Sequence, residues 1–303
     1  MLIISYLITA VCLMLSVAMF TMFERKGLSY SQARKGPNKV SLMGLPQPLA
    51  DAAKLFTKKP ELAMNTNYLY YLIAPAAGLM VVLLLWVMYP MLHVFTHFKL
   101  MMLLALSLIS LNVYSLLIAG WASNSKYALL GALRAMAQII SYEIAFVLLF
   151  LTILVPTGSY DLKETTSVIA PCLFLGWLSA MWLITCIAEV NRAPLDFAEG
   201  ESELVSGFNI EYSGASFAFI FLAEYTSILT MSMLSAFLLA NNPGPEMMMT
   251  IKLLLLAFAF VWARSTFPRM RYDHLMSMCW HMILPISLIS AMTTVFSVKL
   301  ILL

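Results

Sequence analysis

The chain alternates between long apolar runs and short polar intervals. Runs of spanning length lie at about 2–23, 69–91, 100–119, 137–156, 168–188, 214–240, 250–267 and 278–301. At 1.5 Å of rise per residue, the first run of about 22 residues reaches roughly 33 Å as a helix, enough to cross the hydrocarbon core of a bilayer. Its apolar core is longer than that of a signal peptide and it lacks the basic start of one, so it reads as a first transmembrane helix. The pattern predicts an all-α integral membrane protein: eight transmembrane helices in a single polytopic domain over residues 1–303, with both termini on one side.

Composition narrows the class further. Hydrophobic residues make up 62% of the chain and charged residues 11%, with a mean hydropathy of +0.88. A soluble domain is about half apolar and about a quarter charged. The net charge of +3 gives no reason to expect a nucleic-acid partner. Cys12, Cys172, Cys186 and Cys279 lie far apart in apolar segments, without the spacing of a zinc or iron–sulfur site. No phosphate-binding loop or dinucleotide fingerprint is present. The chain is therefore expected to bind no cofactor of its own.

Basic residues set the orientation. The intervals after the first, third, fifth and seventh runs carry 14 of the 18 Lys and Arg. These odd-numbered loops are expected to face the cytoplasm or mitochondrial matrix. The first contains Q-P-L-A-D-A-A-K-L-F-T-K, in which Pro48 suits a first helical turn and Leu49, Ala52, Ala53 and Phe56 share a side. That predicts a short amphipathic helix lying at the interface, either a surface anchor or the wall of an entrance for an amphiphilic ligand. In the third loop, Ala128 to Gln138 reads as helical.

The remaining chemistry is acidic. Between positions 189 and 224 lie Glu189, Asp196, Glu199, Glu201, Glu203, Glu211 and Glu224, which is 7 of the 15 acids, with Arg192 alone as a basic residue among them. In a helical conformation Asp196, Glu199 and Glu203 would share a face, and like charges at such spacings need protons or partners. Partners are expected from Arg25, Arg34, Arg134 or Arg264. Glu143 and Glu224 are embedded in apolar runs, where acids are costly and usually functional. Phe221, Leu222 and Tyr225 flank Glu224 and can line an apolar passage. Carboxyls crowded in little water titrate as a set, which suits a proton relay. The bland alternatives are a charge-balanced structural network and, for Arg264, Arg269, Arg271 and Asp273 in the seventh loop, an inside-positive anchor.

Several pieces in order carry a resemblance: E-R-K-G-L at 24–28, R-K-G-P-N at 34–38, Q-P-L-A-D-A-A-K-L-F-T-K at 47–58, W-A-S-N-S-K-Y-A-L-L-G-A-L-R at 121–134, F-A-E-G-E-S-E-L-V-S-G-F-N at 197–209 and P-R-M-R-Y-D at 268–273. Over essentially its whole length the chain resembles the quinone-site membrane subunits of NADH:ubiquinone oxidoreductase, respiratory complex I. The resemblance implies a place in the mitochondrial inner membrane, with the odd-numbered loops towards the matrix, and ubiquinone as substrate. FMN and iron–sulfur clusters would sit on partner subunits. The partners would be peripheral quinone-site subunits, adjacent small membrane subunits and membrane lipid. It further implies that Glu24, Arg25, Arg34, Asp51, Phe56, Arg192, Phe221 and Leu222 lie along the quinone passage. Glu143, Glu189, Asp196, Glu199, Glu201 and Glu224 would form an acidic path towards proton-pumping subunits. Two other classes remain open on the residues alone. An independent secondary transporter predicts a repeat and paired broken helices, and neither is evident in the sequence. A non-catalytic anchor for a redox arm explains the basic loops but not acids buried mid-helix.

Overall fold

The structure is a computed structural model and describes residues 2–59, 66–89, 99–158, 160, 176–197, 207–239 and 246–302. All regular structure among them is helical: α1 (Leu2–Ser31), α2 (Gln47–Thr57), α3 (Tyr68–Leu85), α4 (Met101–Ala122), α5 (Lys126–Leu154), α6 (Gly176–Glu189), α7 (Gly214–Leu239), α8 (Glu246–Thr266), α9 (Tyr272–Met278) and α10 (Leu284–Leu302). Among the described residues, 7 helical stretches are long and apolar enough to cross a membrane. The chain is an all-α, multi-pass membrane protein. Of the run expected at 168–188, only α6 is described, and 161–175 lie outside the described residues.

Two helices outrun their apolar stretches. Helix α1 continues past Phe23 to Ser31 because Glu24, Arg25 and Lys26 are good helix formers although polar. It closes with Ala33 in the left-handed region (φ 54°) and the Arg34 amide donating to the Ser29 carbonyl at 2.9 Å. Helix α5 joins the Ala128–Gln138 segment and the following apolar run into one element of 29 residues. Ser125 caps it, its Oγ accepting from the Ala128 amide at 3.3 Å. Along the last span, α9 passes into α10 through a π-turn at Cys279–Ile283. Pro285 follows directly; it lacks a ladder N–H, and wide turns occur where the ladder is interrupted.

Helix α5 packs against α4, α6 and α10, and α7 packs against α3, α8 and α1. The seam between α5 and α6 is aromatic: Trp182 stacks on Phe146 with centroids 4.7 Å apart and on Phe150 at 6.0 Å. The stretch Ile228–Leu238 of α7 is buried on all sides, as expected of a central helix. The outer faces are the reverse. Ile4, Ile8, Val11, Leu15 and Met19 form an exposed stripe on α1, and Ile289, Met292 and Phe296 do so on α10. Such apolar surface is tolerable only against lipid or another subunit.

Candidate functional site

Glu24 sits in the C-terminal third of α1 and is buried to 4% exposure. A bare carboxylate cannot remain there without compensation. It receives two guanidinium groups: Arg264 Nη1, from α8, at 2.5 Å from Oε1, and Arg192 Nη2 at 3.4 Å from Oε2. Arg192 also lies over the Tyr225 ring, 4.5 Å from its centroid, and Tyr225 meets Phe20 edge-on at 6.1 Å. Burial, the largest single influence, pulls the Arg192 pKa down, but Glu24, Tyr225 and Glu224 together outweigh it and the net shift is upward. Arg192 therefore stays cationic at every physiological pH. The cluster joins α1, α7, α8 and the segment after α6. Next to it, an apolar groove of about 710 Å³ between α1 and α8 includes Phe20 and Phe23, the latter adjacent in sequence to Glu24.

The segment after α6 is held from two sides. Gln138 is fully buried on α5, and its Nε2 donates to the Ala188 carbonyl at 3.0 Å and the Leu195 carbonyl at 2.7 Å. From the loop before α9, Arg269 donates to the Asp196 carbonyl from Nε at 3.0 Å and also from Nη2. Arg269 Nη2 further lies 3.5 Å from the Asp196 carboxylate, and the Met270 amide donates to the Pro194 carbonyl at 3.2 Å. One turn past Gln138, Tyr142 Oη donates to the Leu275 carbonyl at 3.1 Å, and Cys279 Sγ to the Ser141 carbonyl at 3.2 Å. The π-turn is thus pinned beside Glu143. Glu143, half-buried, is close enough to Glu189 for the two charges to repel. Glu189 and Glu224 line one cavity of about 50 Å³.

Comparison with known proteins places this arrangement. A family described as "NADH dehydrogenase" matches residues 4–295. The chain belongs to the NADH dehydrogenase family. Among curated relatives, NADH-ubiquinone oxidoreductase chain 1 of Aedes aegypti is 47% identical, covering 93% of this chain and 91% of the relative. That of the squid Heterololigo bleekeri is 47% identical over 97% and 96%, and that of the whale Balaenoptera physalus 48% over 91% and 90%.

Within this family frame, the expected site residues separate into groups. Glu24 and Arg192 meet directly, with Glu224 close enough to act on the Arg192 charge. Arg25 does not pair with its neighbour Glu24; it reaches Asp51 on α2 at 2.6 Å. Asp51 also accepts from Gln47 at 3.0 Å. Phe56 of α2 meets Phe219 of α7 edge-on at 6.1 Å, and Phe221 packs on Phe217 at 4.5 Å. Leu222 packs on the main core. Arg34 is exposed and bonds Gln32 at 2.9 Å. Asp196 is not helical, and its carboxylate lies 3.5 Å from Arg269 Nη2, a residue outside the expected set. Glu199, Glu201 and Glu203 lie outside the described residues. The basic group of the seventh loop is not one patch. Arg264 goes to Glu24, Arg269 to Asp196 and Arg271 to Asp273.

Gln138 is the residue that sequence reasoning passed over. Its only signal was an uncharged amide facing the interior of an otherwise apolar face. Among the described residues no group of three or more His, Cys, Asp and Glu side chains is placed to hold a metal ion.

Proposed function

We propose that this chain is a core membrane subunit of proton-translocating NADH:ubiquinone oxidoreductase, working in the mitochondrial inner membrane. It forms much of the ubiquinone passage and the acidic path that couples quinone reduction to pumping. Electrons reach the quinone from FMN and iron–sulfur clusters on partner subunits, and the chain holds no redox centre. Its whole length is one polytopic membrane domain, with α6 as the inner part of an eighth crossing and the odd-numbered loops in the matrix. Helix α2 lies at the interface, with Leu49 and Phe56 exposed and the Arg25–Asp51 pair tying it to α1.

The observation that carries this reading is the buried Glu24–Arg192–Arg264 cluster beside an apolar groove between α1 and α8. Ubiquinone has a polar head and a long apolar tail, and a passage for it needs greasy walls that end in charge. Reduction takes up two protons and changes charge near the inner face. That change acts on the acids Glu189, Asp196, Glu199 and Glu201, and Glu143 and Glu224 pass it laterally. At an effective dielectric of 20, two unit charges about 8 Å apart interact by about 2 kcal/mol, roughly 1.5 pKa units. That is enough to move a proton between matched carboxyls. The test is Glu143→Gln and Glu199→Gln in the assembled complex, read as pumping and quinone reduction. Both rates at wild-type level sink the acidic path. Labelling by a photoreactive quinone, expected on α1, α2 and the 189–224 stretch, separates a quinone site from a mere anchor.

A further inference from the structure

The acids of the path are accounted for by the reading above. The neutral residues that line their shared cavity are not. This cavity lies between α3, α4, α7 and the turn after α6, and holds about 50 Å³. A water needs about 10–15 Å³ of such space and two to four polar partners. There is room for about three to five waters, and the partners exist. Glu189 Oε2 and Asn191 Oδ1 are buried with no hydrogen-bond partner in the protein. Glu224 and Ser227 come from α7, and Asn112 and Ser115 from α4. The two residues on α4 are braced: Ser115 Oγ donates to the Asn112 backbone carbonyl at 2.7 Å and lies 3.3 Å from Asn112 Oδ1. Gly78 keeps α3 out of the way. A Cβ there would stand 3.0 Å from Ser115 Oγ and 3.9 Å from Asn112 Oδ1.

We propose that this cavity holds a short water file joining Glu189 to Glu224, with Asn112 as the positioning residue that orients it. The inference rests on the acidic path proposed above. The Asn112 amide, lining the same cavity as Glu189 and Glu224, supplies both a donor and an acceptor to the file. A protonated Glu189 gives its proton to the nearest water, and the last water gives a different proton to the Glu224 carboxylate. One proton moves, the waters are regenerated, and nothing is oxidised or reduced. An apolar residue at 112 would break the file without removing an acid.

The experiment uses the assembled complex in liposomes. Asn112→Leu is expected to lower NADH-driven proton pumping by roughly tenfold or more, the scale on which misplaced reacting groups cost rate. Electron transfer from NADH to a soluble artificial acceptor, which needs only the redox arm, should not change. Asn112→Ser keeps a polar group and makes room for a further water, and should retain most of the pumping. Wild-type pumping in Asn112→Leu, or equal loss in Asn112→Ser and Asn112→Leu, overturns the proposal. Should neither variant assemble, the native complex decides: electron cryo-microscopy resolving ordered water is expected to show water bonded to both Asn112 and Glu189, and a dry cavity rejects the file. Glu189→Gln keeps the two ideas apart. Full pumping in that variant sinks the acidic path itself, whereas loss there with none in Asn112→Leu sinks only the water file.

Discussion

Arg264 and Glu24 stand 240 residues apart in the chain and 2.5 Å apart in the fold. With Arg192 on the other carboxylate oxygen, the single acid locks three separate segments. Replacing Glu24 with Gln leaves two cations without the carboxylate they share, and only the weaker influence of Glu224 remains on Arg192. The expected cost is about 3–5 kcal/mol, the range for removing one partner of a buried pair. Arg264 is 37% exposed and Arg192 only 14%. Arg264→Met should therefore cost about 1 kcal/mol or less, as solvent screens it, and Arg192→Met clearly more. Thermal midpoints of the purified complex give the order.

Gln138→Leu preserves volume but strips the side-chain donor from the Leu195 carbonyl, while the Ala188 carbonyl keeps the Asn191 amide at 3.3 Å. The orphaned group costs about 1–3 kcal/mol. The expected result is a lower thermal midpoint together with reduced pumping, since the segment bearing Glu189 and Asp196 loses its anchor on α5. A Gln138→Leu complex that pumps normally would show that the anchor does not matter for coupling.

Gly131 is required by a close approach. A Cβ at this point of α5 would lie 2.9 Å from Gly207 Cα and 3.0 Å from the Phe208 amide nitrogen. These are backbone atoms and cannot turn aside. Gly131→Ala should destabilise by about 1–3 kcal/mol, as overpacking does. A lower thermal midpoint for the Gly131→Ala complex than for the parent is the expected sign.

Tyr212 gives a pH dependence with a definite sign. Burial pushes its phenol above the usual value of 10, and Tyr71, stacked on it at 4.3 Å, adds to the shift. The unfolded chain ionises this phenol near pH 10 and the folded chain does not. Its contribution is therefore intact below pH 10 and lost as pH rises above it, towards the folded value. Tyr212→Phe forfeits the 3.0 Å bond to the Ala119 carbonyl, worth about 1 kcal/mol at neutral pH. Above pH 10 its stability should fall less steeply than that of the parent, which alkaline melting curves measure.

The crossings were legible because a membrane demands uninterrupted apolar length, and sequence shows that directly. Their ends were legible only in part. The helical reading of Ala128–Gln138 falls inside α5, which begins at Lys126, but α1 runs on past Phe23 to Ser31, because hydropathy drops at Glu24 and helix propensity does not. The acids were legible as costly groups, but their partners were not. Glu24 and Arg25 are neighbours in sequence, and neighbours on a helix point apart. Their partners lie at 192, 264 and 51, distances along the chain that no local pattern encodes. Gln138 gave no warning, because a single amide among apolar residues looks like any packing position until the carbonyls it meets are known.

Those two carbonyls bracket Glu189 and lie next to Asp196, and their donor stands five residues before Glu143 on the same rod. The segment that carries Glu189 and the helix that carries Glu143 are therefore fastened to each other by one side-chain amide, so a displacement of either strains the same two bonds.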